Sequence, residues 1–284
     1  MDRIPLLVVG AALLAAGGLA AAGGSAAAGQ AECHGLTVTV PGTAGDDVLT
    51  GTGRADVIHG FGGNDIIDGL GGDDVICGGT GTDQLRGGRG ADVLDGGGGD
   101  DWVSYLGTRG GVVVDLWKGT ATGAAGADTV TAIENIKGSG YADRLLGSGG
   151  DNHIKGLGGK DYLYSRSGDD VVRGGGSNDH IRGGPGNDWL DGGSGSDFVA
   201  HARSATPVVV DLRIGSATGE GDDVLLGFEH AKGSPFDDVV HGDDGDNKLW
   251  GFAGDDLLIG HGGTDRADGG DGTDVCDVEE PVNC

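Results

Sequence analysis

The sequence is poor in aromatic residues and in positive charge. Trp, Tyr and Phe make up 5% of its 284 residues, and 18 Lys and Arg stand against 45 Asp and Glu. The net charge of −27 excludes a general nucleic-acid binder, because phosphates would repel the chain. There are only 6 prolines and glycine does not recur at every third position, which excludes collagen. So few aromatic side chains also argue against an ordinary single-core globular domain.

Glycine, in contrast, is abundant, with 66 residues. Each glycine raises the entropic cost of folding. The chain must therefore either stay disordered or adopt an architecture that requires glycine at fixed positions, and the spacing of the glycines decides between these two outcomes.

The N-terminus predicts a secretory signal peptide. Arg3 precedes an apolar run over residues 4–22, and the small residues 25–28 suit signal peptidase, with cleavage after Ala28 or Ala31. The alternative is an uncleaved membrane anchor, since about 19 apolar residues are enough to cross a bilayer. We expect an extracellular, secreted protein, either free or associated with the cell surface.

Four cysteines follow the predicted signal peptide: Cys33, Cys77, Cys276 and Cys284. An even number in a secreted chain predicts two disulfides, in one of three pairings. We favour Cys33–Cys77 and Cys276–Cys284, because each pair lies near one end of the mature chain.

From Gly42 the chain falls into nine-residue units, in three blocks at 42–104, 138–200 and 233–277. The blocks contain 7, 7 and 5 units, which makes 19. Position 1 is glycine in 18 of them, position 6 is Asp in 17 and Asn in two (Asn152 and Asn247), and position 8 is Leu, Ile or Val in 17. Composition alone would not hold three positions in register so well.

Each recurring position has a physical reason. Glycine at positions 1, 2 and often 4 allows turns with positive φ. Positions 7–9 predict a short strand whose position 8 points inward and builds a narrow aliphatic core. We expect two units to form one coil of a parallel β-solenoid, so that each unit stacks on the next but one.

Stacked sixth-position carboxylates would repel one another without a cation between them. Ca²⁺ accepts six to eight oxygen ligands, from carboxylates and from the carbonyls that glycine turns expose, whereas Mg²⁺ demands a tighter octahedron and Zn²⁺ prefers nitrogen and sulfur. The cofactor expected is therefore Ca²⁺. The candidate metal ligands are Asp47, Asp56, Asp65, Asp74, Asp83, Asp92, Asp101, Asp143, Asp161, Asp170, Asp179, Asp188, Asp197, Asp238, Asp256, Asp265 and Asp274.

The unit resembles the GGxGxDxUx nonapeptide of the RTX (hemolysin-type) calcium-binding repeat family, most closely at 60–68, 87–95 and 183–191. The resemblance implies a parallel β-roll, with Ca²⁺ held between stacked turns by the sixth-position Asp and neighbouring carbonyls. Some turns lack the expected glycines and are expected to bind weakly or not at all: those containing Arg54, Tyr141, Ser165 to Ser167, and Ser234 to Phe236. If a block of n units holds n−2 ions, the total is about 13.

Two segments interrupt the repeats and resemble each other: residues 112–116 match 208–212, and 119–123 match 215–219. We expect them to form wider coils of the same solenoid, the alternative being a separate small β-domain. The expected organisation is a signal peptide at 1–28, an N-terminal capping strand at 29–41, repeat blocks at 42–104, 138–200 and 233–277, solenoid inserts at 105–137 and 201–232, and a C-terminal cap at 278–284.

No His-Glu-x-x-His, G-x-S-x-G or Walker A motif is found, and the repeat itself explains the recurring Asp pairs. The sequence therefore predicts no enzymatic activity. Outward positions of the second block collect aromatic and basic side chains, with Trp189 expected on the opposite sheet. They are Arg144, Tyr162, Tyr164, His180, Arg182 and Phe198. They form either an ordinary solvated face or a face that binds a cell-wall glycan or another extracellular partner.

The predicted fold is thus all-β, a parallel β-roll or β-solenoid of nonapeptide repeats. The predicted function is that of a secreted, monomeric, calcium-folded structural or adhesive module of the cell surface or matrix. Two alternatives remain: a β-solenoid enzyme of lyase or epimerase type that acts on polysaccharide, and an extracellular calcium buffer.

Overall fold

The last three residues of each nonapeptide form a short β-strand, which in every second unit continues through the first three residues of the next unit. The residues between the strands carry the chain from one sheet to the other. The computed structural model describes residues 31–284, so the predicted signal peptide and its alternative, a membrane anchor, lie outside the described residues. Across 31–284, no helix long and apolar enough to cross a bilayer is present.

Two large sheets face each other, and a small hairpin precedes them. The hairpin is formed by β1 (Glu32–Cys33) and β2 (Leu36–Thr37). Sheet I contains β3 (Val40–Pro41), β5 (Val57–Gly62), β7 (Val75–Thr80), β9 (Val93–Gly98), β11 (Val112–Asp115), β12 (Thr120–Gly123), β13 (Ala127–Thr131), β15 (Arg144–Leu146), β17 (Tyr162–Tyr164), β19 (His180–Arg182), β21 (Phe198–Ala200), β25 (His230–Lys232), β27 (Lys248–Ala253), β29 (Arg266–Asp271) and β31 (Glu280–Val282).

Sheet II contains β4 (Val48–Thr50), β6 (Ile66–Asp68), β8 (Gln84–Arg86), β10 (Trp102–Ser104), β14 (Asn135–Lys137), β16 (His153–Gly158), β18 (Val171–Gly176), β20 (Trp189–Ser194), β22 (Val209–Asp211), β23 (Ser216–Thr218), β24 (Asp222–Leu226), β26 (Val239–His241), β28 (Leu257–Ile259) and β30 (Val275–Asp277).

Units 18 residues apart pair in parallel, so two nonapeptides make one coil. Val57 pairs with Val75 in sheet I, and Ile66 pairs with Gln84 in sheet II. The predicted fold class, a parallel β-solenoid, is confirmed, as is the stacking of each unit on the next but one.

Within the repeat blocks the core is a column of mostly aliphatic side chains from position 8, and the inserts continue it with residues such as Val114 and Val210. Ile58, Ile76 and Leu94 enter it from sheet I, and Ile67 and Leu85 enter it from sheet II; all five are at most 1% exposed. Positions 7 and 9 face outward, as the alternation of a strand requires. The core is thus only as wide as two facing side chains.

Each insert joins the solenoid but includes an antiparallel strand, which a plain coil would not contain. In the first insert, β11 pairs in parallel with β15, which comes later in the chain, and β13 pairs in parallel with β9. Between them, β12 pairs antiparallel with both β11 and β13. Sheet I therefore gains a hairpin. In the second insert the corresponding hairpin, β22 with β23, lies in sheet II.

The two sheets exchange roles from one block to the next. The first block places its six-residue strands β5, β7 and β9 in sheet I, the second places β16, β18 and β20 in sheet II, and the third places β27 and β29 in sheet I. Equivalent units of successive blocks therefore lie on opposite sides of the solenoid.

Both ends of the described chain are closed by disulfides. Cys33 bonds to Cys77, and Cys276 bonds to Cys284, which is the favoured pairing. The segment expected as one capping strand is divided between the β1–β2 hairpin and β3, which adds to the edge of sheet I at Ile58.

Candidate metal centres at the edges of the solenoid

The sixth-position carboxylates form a ladder along each edge of the solenoid. Oδ1 of Asp74 accepts a hydrogen bond from the backbone N–H of Asp56, and Oδ1 of Asp92 accepts one from Asp74, at 2.8 and 2.9 Å. Along the other edge, Asp83 N–H donates to Oδ1 of Asp101 at 2.7 Å. Each rung uses one carboxylate oxygen, which leaves the other free to bind a ligand.

The second oxygen of these carboxylates is buried and has no partner in twelve turns. A buried polar atom without a partner costs about 1–3 kcal/mol, and more when it carries charge. The twelve residues are Asp65, Asp74, Asp83, Asp92, Asp101, Asp161, Asp170, Asp179, Asp188, Asp197, Asp256 and Asp265. These open turns are units three to seven of the first and second blocks, and two of the last three units of the third block.

The first coil of every block is different, because its turns close on themselves. Where position 2 is Ser, Thr or Asp, its backbone N–H donates to the position-6 side chain: Thr43 to Asp47 at 2.6 Å, for example, and Ser148 to Asn152 at 2.7 Å. The six closed turns end at Asp47, Asp56, Asp143, Asn152, Asp238 and Asn247. Four of the predicted metal ligands therefore already have their Oδ2 atom bonded within the turn: Asp47, Asp56, Asp143 and Asp238.

The backbone conformation of position 2 also distinguishes the open turns from the closed turns. It is left-handed in the open turns and in the last turn, which ends at Asp274, with φ from 72° to 122°. In the second coil of each block this position carries a side chain, as at Phe61, whereas later coils carry glycine. A Cβ at Gly79 would collide with the carbonyl oxygen of Phe61, so later coils require glycine.

Glycine at position 1 serves a purpose that differs from our expectation. We expected it to permit positive φ, and that is wrong, since the positive angles fall at positions 2 and 4. A Cβ at Gly69 would lie 2.6 Å from the carbonyl oxygen of Gly87 and closer still to Oδ2 of Asp74. Glycine at position 1 thus leaves open a cradle lined by a carboxylate and a carbonyl.

The metal-free carboxylates are held in an environment that disfavours their charge. Burial, together with the charges of neighbouring carboxylates, raises the pKa of Asp161 and of Asp188 to about 8, against the opposing effect of the ladder hydrogen bonds. Burial likewise raises the pKa of Asp74 and Asp101 to about 6. A cation would relieve both the burial and the repulsion.

The inserts continue the ladders with acids that the repeat pattern did not single out. Asp92 N–H donates to Oδ1 of Asp128 at 3.2 Å, and Asp101 N–H donates to Glu134 at 2.8 Å. The second insert and the C-terminal cap supply the equivalent acceptors Asp223, Glu229 and Glu279. The signal was present in the sequence, because Asp128 and Glu134 recur as Asp223 and Glu229 in the matching insert.

The residues present fit calcium. Each open turn offers an anionic oxygen without a partner. In most of them a backbone carbonyl and a cradle that only glycine leaves empty lie beside it, whereas the turn ending at Asp170 has Ser165 at position 1. Oxygen donors of this kind suit a hard cation with flexible geometry. A second cluster, His34, Cys77 and Asp95, does not fit a metal, because Cys77 is bonded to Cys33 and has no thiolate to offer.

The fold and the two carboxylate ladders define a repeat protein of the calcium-binding β-roll class. A sequence profile described as the RTX calcium-binding nonapeptide repeat matches residues 41–76, 78–107, 137–172, 164–199, 232–267 and 250–279. These matches cover more than half of the chain, so the chain belongs to the RTX calcium-binding nonapeptide repeat family. No curated protein matches it.

The expected aromatic and basic face exists as a stacked ladder on sheet I. The ring of His180 stacks on Tyr162 and on Phe198, with centroids 5.7 and 4.6 Å apart, and the guanidinium of Arg144 lies 5.2 Å from the Tyr162 ring. Trp189 lies in β20 of sheet II, on the opposite side, as expected.

Proposed function

We propose that the protein is a secreted β-roll that folds on binding Ca²⁺ and serves as a structural or adhesive module of the cell surface or matrix. The observation that carries the proposal is the set of twelve buried carboxylate oxygens without partners, arranged along both edges of the solenoid. A net charge of −27 adds a strong self-repulsion that bound cations would neutralise.

The sites proposed are the open turns. Their ligands are the twelve unpartnered aspartates together with Asp274, whose turn has the same left-handed position 2. In the first coil of each block, Asp47, Asp56, Asp143 and Asp238 would then act mainly as turn-closing residues. The twelve open turns and the turn ending at Asp274 together make thirteen, which equals the n−2 per block expected from the sequence.

Burial of the aspartates favours a ligand role over catalysis. Asp161 and Asp188 have the raised pKa expected of a general acid, but their side chains are only 1% and 2% exposed. A polysaccharide chain cannot reach them without opening the turns. Two disulfides favour an oxidising, extracellular location.

Far-UV circular dichroism of the full chain with intact disulfides tests the calcium proposal. We expect a cooperative coil-to-β transition on adding Ca²⁺, and none at equal concentrations of Mg²⁺. A complete β spectrum in excess chelator, unchanged by Ca²⁺, would refute calcium-driven folding. A calcium buffer would bind Ca²⁺ without this transition.

The adhesive role is tested through the aromatic and basic face of sheet I, to which both Tyr162 and Tyr164 of β17 belong. Replacing Tyr162 and Tyr164 together by Ala should abolish retention on cell-wall glycan, because aromatic rings supply most of the contact area for sugar rings. Trp189→Ala, on the opposite sheet, is the matched control and should leave retention unchanged. Equal retention of all three proteins would remove this role.

A further inference from the structure

A positively charged cavity lies beside the first insert of this strongly acidic protein. It has a volume of about 230 Å³ and is lined by the arginines Arg86, Arg89 and Arg109, together with the small residues Ala124 and Ala125 of the loop between β12 and β13. Three arginines among only 18 basic residues line this one cavity.

Two of these arginines have no acidic partner in the described part of the chain. Arg86 pairs with Asp68 and donates through Nη1 to the carbonyl oxygen of Leu106 at 3.2 Å. Arg89 and Arg109 are exposed and take part in no ion pair within residues 31–284. Tyr105 also lines the cavity and donates its hydroxyl to Asp128 at 3.0 Å.

The second insert shows what occupies the equivalent place. A spacing of 96 residues relates Arg86 to Arg182 and Tyr105 to His201, and the backbone confirms the equivalence of the loops. Gly90 N–H donates to the carbonyl oxygen of Ala125 at 3.1 Å, and Gly186 N–H donates to that of Glu220 at 3.0 Å. Glu220 therefore stands where the first insert has Ala125.

Glu220 fills that place with a carboxylate. Its Oε1 lies 3.4 Å from Nη2 of Arg182, and its Oε2 lies 3.3 Å from Nδ1 of His201. The Glu220 side chain is only 4% exposed, so this carboxylate is an internal occupant of the site rather than a surface group.

We propose that the cavity beside the first insert binds a small organic carboxylate, whose anionic group takes the place that Glu220 occupies in the second copy. Arg89 and Arg109 supply the unpaired charges, and Arg86 lies at the position of Arg182. Such a carboxylate is carried equally by a free acid and by a uronate sugar. The site is independent of the aromatic ladder on sheet I.

Isothermal titration calorimetry of the calcium-loaded full chain tests this site with glucuronate, glucose and acetate. We expect glucuronate to bind saturably with one site and glucose, which lacks only the carboxylate, to bind at least about tenfold more weakly. Acetate binding as tightly as glucuronate assigns the site to the carboxylate alone, whereas weaker acetate binding assigns a contribution to the sugar ring. Equal binding of glucose, or no saturable binding of either acid, would overturn the proposal.

Variants locate the binding. Arg89→Ala and Arg109→Ala should each weaken glucuronate binding about tenfold, the loss of one charge-assisted hydrogen bond. Arg54→Ala removes the same charge from an exposed turn residue outside the cavity and should have no effect. Ala125→Glu, which introduces the side chain of the second copy, should abolish binding while the protein stays folded; wild-type affinity in this variant would refute the assignment.

The reverse substitution gives a second, independent readout. Glu220→Ala should lower the melting temperature, because Arg182 and His201 lose their buried partner, and sodium acetate should restore it more than sodium chloride at equal ionic strength. Identical effects of the two salts would contradict the equivalence of the two sites.

Discussion

Replacing one buried aspartate by asparagine should stabilise the metal-free protein and destabilise the calcium-bound protein. Asp74 is fully buried, its Oδ1 accepts from Asp56 N–H, and its Oδ2 has no partner. Burial and the charges of neighbouring aspartates raise its pKa to about 6. Asp74→Asn keeps the Oδ1 acceptor and converts the unpartnered oxygen into a donor beside the carbonyl oxygen of Gly87.

Asparagine already stands at position 6 in two closed turns, where its Oδ1 accepts from position 2 and its amide nitrogen finds a carbonyl acceptor. Nδ2 of Asn152 donates to the carbonyl oxygen of Glu134 at 2.7 Å, and Nδ2 of Asn247 donates to that of Glu229 at 2.8 Å. Satisfying one buried polar atom contributes about 1–3 kcal/mol to the chelated form. Losing one ion present at about 100 times its Kd costs about 2.7 kcal/mol in the calcium form.

The assay is denaturant unfolding followed by far-UV circular dichroism, once in excess chelator and once in saturating Ca²⁺. If the chelated chain is unfolded, the midpoint of osmolyte-induced folding replaces the denaturant midpoint. Asp73→Asn is the matched control, because Asp73 is the exposed neighbour in the same turn and its removal changes the net charge equally. Shifts of the same sign in both conditions, or identical behaviour of the two variants, would refute the cation cradle.

Three further predictions concern the turns, the pH dependence and the disulfides. Gly79→Ala should cost at least about 2 kcal/mol in thermal unfolding, since its φ is 117° and its Cβ meets the Phe61 carbonyl, whereas Gly98→Ala, with open space around it, should stay within about 0.5 kcal/mol. In chelator, stability should fall as the pH rises, because the folded-state pKa of Asp161 and Asp188, about 8, exceeds the ordinary unfolded value. The contribution is complete below about pH 4 and is lost through about pH 8, and a midpoint of osmolyte-induced folding that does not change with pH would contradict it. Replacing Cys33 and Cys77 by Ser should cost about 4 kcal/mol, against about 2.5 kcal/mol for Cys276 and Cys284, because their sequence separations are 44 and 8; an inverted order of the two melting temperatures would argue against loop entropy as the cause.

The repeat made much of this architecture predictable. Position 8 defines the core of the repeat blocks, and the 18-residue coil follows from two strands per turn, so residues such as Ile58 and Ile76 could be placed from their spacing. The division into open and closed turns was missed, although position 2 carries the signal: Thr43 and Ser148 close their turns, while Phe61 and Gly79 do not. Whether position 2 admits a side chain depends on the coil beneath it, which a single unit does not contain.

The inserts were harder to predict because their strand order departs from their chain order. The spacing of Val112 to Leu116 and of Thr120 to Gly123 is compatible with either a coil or a hairpin, since both bury alternate side chains. Only the pairing of β11 with β15, although β12, β13 and β14 lie between them in the chain, distinguishes a hairpin from a coil. The acids Asp128 and Glu134 acquire their place in the ladders through the parallel pairing of β13 with β9 and of β14 with β10.

Equivalent strands of successive blocks lie in opposite sheets, and this affects how many copies of a repeated surface one partner can contact at the same time. The six-residue strands of the first and third blocks lie in sheet I and those of the second lie in sheet II, so surfaces repeated along the sequence point alternately to opposite sides. A single flat partner can therefore engage the first and third blocks but not the second from the same side. Tandem copies in this order are suited to bridging two separate surfaces rather than to binding one of them more tightly.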